Sequence, residues 1–120
     1  MSYDEKLAAR IRRVLPPSSS ITEKKMFGGV AFLIDGKMFV GVAGNDLMVR
    51  VGAEAHAAAL AKKHVRPMDF TGRPLTGYVF VGVAGTRTAR ALSAWVRESL
   101  RFVATLPAKA PKRRTRTRNE

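Results

Sequence analysis

Asp35-Gly36 stands between two largely apolar runs, and no other dipeptide in this chain limits its fold so strongly. A two-residue hairpin loop of the primed type needs φ > 0 at both positions, which Asp tolerates and Gly adopts freely. Residues 29–34 and 37–43 are therefore predicted to pair as antiparallel strands. Upstream, residues 21–26 form a strand that reaches a corner at Gly28-Gly29. Downstream, Gly44-Asn45-Asp46 turns the chain into a fourth strand over 47–51. Three hairpins in series make a meander. In the third strand, strict alternation assigns Met38, Val40 and Val42 to one face and Phe39 to the other.

Helices flank this block. Ser2 and Glu5 have capping-box spacing, and Leu7, Ile11, Val14 and Leu15 follow at helical period until Pro16-Pro17. Residues 54–63 are Ala-rich and predict a second helix, with Lys62, Lys63 and His64 complementing the dipole at its end. The segment 65–77, punctuated by Pro67, Gly72, Pro74 and Gly77, reads as a structured loop. A fifth strand is expected over 78–83. Thr86 or Thr88 then caps a long helix whose buried stripe is Leu92, Trp95, Val96, Leu100 and Val103. The order is α-β-β-β-β-α-β-α, an α+β fold with an antiparallel sheet of about five strands and three helices. No internal repeat is visible.

At 120 residues and 46% apolar content, the chain has material for one domain with a real core, expected over 1–106. The first residues are polar and charged, without the apolar region of a secretory signal, and the apolar runs are too short to span a bilayer as a helix. A cytoplasmic protein is the expectation. The formal net charge is +13. Lys109, Lys112, Arg113, Arg114, Arg116 and Arg118 lie among Pro, Ala and Thr in residues 107–120, a stretch with no apolar stripe that is expected to be a disordered basic tail. If all six charges met phosphates, the salt slope would be about −5, which is sequence-independent attachment to DNA or RNA.

Reaction chemistry finds little to work with. The chain has no cysteine and no nucleophile elbow, and its two histidines, His56 and His64, lie eight residues apart, too far to share an ion on one helix. Both are read as partly exposed polar residues. Asp35 and Asp46 sit in turns, Asp69 braces its loop, and Gly28-Gly29 precedes a strand, so a tight corner accounts for it better than a phosphate loop. No catalytic residue, metal site or cofactor is expected. Lys25, Phe27, Arg50, Arg73 and Tyr78 remain as a candidate site for an anionic or planar ligand. Against it stands the reading in which Phe27 and Tyr78 are core, while Arg50 and Arg73 cover apolar surface or pair with Asp69 and Glu23. A ligand role predicts that Arg50→Ala weakens metabolite binding and leaves the melting temperature nearly unchanged.

Two blocks carry a resemblance. Lys24-Lys25-Met26-Phe27-Gly28-Gly29-Val30-Ala31-Phe32, with Gly36-Lys37-Met38 and Leu47-Met48-Val49-Arg50-Val51, is similar to the N-terminal domain of TfoX/Sxy-type proteins. The same holds for Arg66-Pro67-Met68-Asp69-Phe70-Thr71-Gly72-Arg73-Pro74 and Gly77-Tyr78-Val79. The resemblance extends to about Leu106. It implies a fold like that of secretion chaperones, and often a homodimer. Some members regulate natural competence and carry a second, C-terminal domain; here the basic tail follows the last helix. The function expected is a non-enzymatic binding or regulatory domain with an unidentified protein partner. A nucleic-acid accessory protein anchored by its tail is the first alternative, and a small-metabolite sensor or enzyme the second.

Overall fold

The backbone at Asp35 and Gly36 has φ of 51° and 79°, and Ile34 faces Lys37 across the turn, as a primed two-residue loop requires. In the computed structural model, residues 3–17, 20–26, 28–68 and 76–106 are described. Among them are six strands: β1 (Ile21–Met26), β2 (Gly29–Ile34), β3 (Lys37–Ala43), β4 (Asp46–Arg50), β5 (Val65–Pro67) and β6 (Tyr78–Val81). The helices are α1 (Glu5–Val14), α2 (His56–Leu60) and α3 (Ala89–Val103), with a 3-10 turn over Val83–Thr86. The strands form one sheet in the order β1-β2-β3-β4-β6-β5, antiparallel throughout.

Alternation along the strands decides what each face meets. Val30 and Phe32, Val40 and Val42, Leu47 and Val49, and Val79 and Val81 point to one side. There they share a core with Leu7 and Ile11 of α1, Ala59 of α2, and Leu92, Trp95, Val96 and Val103 of α3. Each Val, Leu, Ile or Phe side chain among them contributes about 1.5–3 kcal/mol when fully buried. Met48, Phe80 and Met68 form a smaller cluster on the opposite face, with Met38, Ala43 and Tyr78 against it.

The third strand departs from strict alternation. Phe32 faces Val40 and Leu33 faces Met38, so Phe39 is the extra residue of a β-bulge. Phe39 is buried in the main core beside Val40 and Val42, while Met38 turns to the other face, the reverse of the assignment from alternation. The bulge also leaves Phe39 without a Cα partner on β2 or β4. Ser99 of α3, itself fully buried, reaches this position: its hydroxyl lies 2.5 Å from the Phe39 carbonyl and 2.7 Å from that of Arg50, so its one proton is shared between two acceptors.

Other local expectations are corrected by backbone geometry. Asp4, rather than Ser2, caps α1, because its Oδ1 accepts from the amides of Lys6 and Leu7 and makes Glu5 the first helical residue. The second helix is only five residues long. Ala55 offers no capping side chain, and within the helix only Ala59 is buried, so Lys62 and Lys63 lie beyond its end. The expected loop after it begins with β5, a sixth strand that ends at Pro67 on the sheet edge, where a missing amide costs no ladder bond. Thr88 is the cap of α3, accepting from the Ala91 amide at 3.0 Å. Gly28, at φ +72°, turns the β1–β2 corner, and a Cβ on Gly29 would fall 1.8 Å from the Val42 carbonyl oxygen.

Candidate functional site

Arg50 ends β4 and Tyr78 begins β6, and the ladder makes them partners. Arg50 extends past the strand end. Its guanidinium carbon lies 5.5 Å from the centre of the Tyr78 ring and 5.7 Å from that of Phe102 on α3, and Nη1 donates to the Met38 carbonyl at 3.3 Å. A delocalised, weakly hydrated cation suits a place among aromatic faces. Phe102 reaches it because Gly52, at φ +90°, leaves room; a Cβ there would fall 2.3 Å from the ring. A half-open cleft of about 500 Å³ adjoins, lined by Val51, Ala53, Glu54, Ala55, Phe102 and Thr105.

Of the five residues put forward from the sequence, Arg50 and Tyr78 come together. Lys25 does not join them. It lies on β1 opposite Val30, and three strand spacings, about 14 Å, separate β1 from β4. Phe27 and Arg73 lie outside the described residues. Glu23 pairs with Arg12 of α1 rather than with Arg50, through two contacts of 2.6 and 2.7 Å. That hydrogen bond holds the Glu23 carboxyl below the usual carboxylate range and raises Arg12. Because Arg50 is sandwiched and hydrogen-bonded, its truncation is expected to lower stability, contrary to the unchanged melting temperature anticipated from sequence.

Phe102 is the member that sequence reasoning missed. It stands at the border of the buried stripe of α3, three residues after Ser99 and seven after Trp95, and that spacing is the signal that finds it. His64 is exposed with φ 68°, whereas His56 is half-buried and its Nε2 is buried without a hydrogen-bond partner among the described residues. No group of three or more His, Asp or Glu residues among those described is placed to hold a metal ion. The six basic residues of 107–120 lie outside the described residues, as does Asp69.

The polar side chains with assigned partners serve the scaffold. Asp4 and Thr88 cap helices, Arg10 donates to the carbonyls of Thr86 and Arg87 at 2.6 and 3.2 Å, and Ser99 tends the bulge. Arg66 is ion-paired with Asp46 and lies 4.9 Å from the Phe80 ring. Among the described residues, no helix is long and apolar enough to cross a membrane.

A six-stranded antiparallel sheet, a β1–β4 meander continued by β6 and β5, with its helices gathered over one face, defines an α+β domain whose polar groups hold the fold. The family model for the TfoX N-terminal domain matches residues 13–103, and the chain belongs to that family. Neither the curated proteins nor the solved structures compared with it yield a match.

Proposed function

We propose that this TfoX N-terminal domain is a non-enzymatic binding or regulatory domain, acting in the cytoplasm through its surface. One observation carries the reading: among the described residues, the polar side chains of Asp4, Ser99 and Arg10 are committed to backbone groups, and no three His, Asp or Glu side chains gather at one place. Asp4 accepts from two amides, Ser99 meets two carbonyls, and Arg10 reaches two more. Groups so committed cannot move protons or attack a substrate without loosening the fold. A homodimer, an unidentified protein partner and non-specific contact of the tail with DNA or RNA belong to the same proposal.

A metabolite sensor built on Arg50 and Tyr78 is the competing reading, and the cleft beside Phe102 is what favours it. A thermal-shift screen of the full chain against nucleotides, sugar phosphates and amino acids separates the two. A ligand at a hundred times its Kd stabilises a protein by about 2.7 kcal/mol, a shift no screen would miss. The binding-module reading expects no saturable shift. A saturable shift that disappears in Arg50→Lys, which keeps the charge and loses the flat stacking surface, would overturn it.

A further inference from the structure

We propose that the outer face of the α1–α3 layer is a docking surface for the phosphate backbone of duplex nucleic acid. This deepens the binding-module reading and rests on it, and it adds a contact on the folded domain to that of the tail.

The buried side of α3 is Leu92, Trp95, Val96, Ser99 and Val103. At 3.6 residues per turn, Arg90, Arg97 and Arg101 fall within about 40° of one another, opposite that stripe. All three are exposed. From Arg90 to Arg101 the rise is about 16 Å, a length over which a duplex presents about ten phosphates. The neighbouring helix extends the field. Arg13 is exposed, and with Arg10 it lines a small cavity of about 100 Å³ that also touches Ala89 and Leu92, so it sits at the seam between the helices.

Among the described residues, no ion pair neutralises the charge of this face. A helix that only needs solubility mixes acids with bases at i, i+4. Here Arg97 and Arg101 form a like-charge i, i+4 pair, with Ala94 the remaining residue of the stripe. The acids of the two helices and their neighbours lie toward other groups: Glu5 is in the first turn of α1, about two turns from Arg13, with its field on Arg12; Asp4 is on the α1 amides, Glu23 on Arg12, and Glu98 near Lys62 at 3.7 Å. Among the described residues, Arg13, Arg90, Arg97 and Arg101 make no ion pair.

The chemistry favours phosphate over other anions and a duplex over a membrane. The basic residues of α3 are arginines without exception, and guanidinium meets phosphate oxygens in pairs. Insertion into a bilayer needs exposed apolar side chains beside the charge. Val83, away from this stripe, is the large exposed hydrophobic among the described residues. With no amide or aromatic side chain on the stripe, attachment is to the backbone and indifferent to sequence.

Fluorescence anisotropy of a labelled 20-bp DNA duplex, titrated with full-length chain over a salt series, tests the assignment. Arg97→Gln/Arg101→Gln is expected to make the salt slope shallower by about 2 and to weaken binding about fiftyfold at 0.1 M salt. Lys24→Gln/Lys63→Gln removes the same charge from outside this face and is expected to change affinity less than threefold. Both variants keep the tail, so it cannot account for a difference between them, and thermal melts verify that both are folded. Equal losses in the two variants would overturn the proposal, as would undetectable binding of the wild type at 50 mM salt. Preferential binding to phosphatidylserine vesicles over the duplex would overturn it in favour of a membrane. Any of these leaves the non-enzymatic reading standing, since that reading falls to the metabolite screen.

Discussion

Ser99→Ala removes one oxygen and almost no volume from the most enclosed polar side chain among the described residues. The Ser99 hydroxyl is fully buried and lies within 2.7 Å of two carbonyl oxygens, those of Phe39 and Arg50. Phe39 is the bulged residue of β3 and has no Cα partner in the registers with β2 or β4. Leaving a buried acceptor unsatisfied costs about 1–3 kcal/mol, and the near-isosteric change adds little cavity penalty. A midpoint of ~2 kcal/mol lowers the melting temperature of a domain this size by roughly 10 °C. Thermal and urea unfolding, followed by far-UV circular dichroism, measure it. Ser93→Ala on the same helix is the control and should stay within about 0.5 kcal/mol of wild type. If Ser99→Ala matches Ser93→Ala, the hydroxyl is not what closes the bulge, and the account of how α3 is fixed to the sheet fails.

Three further outcomes follow from geometry. Asp4→Ala should cost about 1 kcal/mol in chemical unfolding, since two α1 amides lose their acceptor, and Asp4→Asn should recover most of it. Gly29→Ala places a methyl against the Val42 carbonyl and should destabilise by about 3 kcal/mol or more, giving an unfolded or insoluble product on expression. Glu23 titrates below an ordinary carboxylate because Arg12 hydrogen-bonds it, so its folded value lies under its unfolded one. The pair then stabilises above the unfolded carboxylate range and loses its effect as pH falls through the folded value. Both side chains are more than a third exposed, so the gain is a few tenths of a kcal/mol. In Arg12→Gln, an NMR titration should find Glu23 moved up toward its usual range; an unmoved value would refute the pairing in solution.

Much of the sheet is legible before any coordinates, because its turns are chemically explicit. Asp35-Gly36 and Gly28 sit where φ > 0 is needed, and the β-branched runs between them can bury only one set of alternate residues. The α3 stripe is legible for the same reason, with Thr88 before it. What escapes reading has no local signature. A bulge at Phe39 leaves the alternation of Met38, Val40 and Val42 looking regular, since the extra residue is itself apolar. β5 is three residues long and ends in Pro67, and it exists because β6 offers it an edge. Asp4 and Ser2 both precede α1, and only the amide directions choose between them. Around the candidate site, Arg50 and Tyr78 are joined by ladder register, which strand order predicts once β4 and β6 are neighbours. Lys25 is excluded by the same order, and Phe102 enters through a tertiary contact at Gly52.

Mapping the surface that a partner touches tests the whole account most directly. In ¹⁵N-edited spectra of the full chain titrated with a short DNA duplex, amide shifts are predicted to cluster at Arg13, Arg90, Arg97 and Arg101, with Arg50, Tyr78 and Phe102 unmoved. Shifts concentrated at the sheet end around Arg50, with the helical face silent, would contradict it.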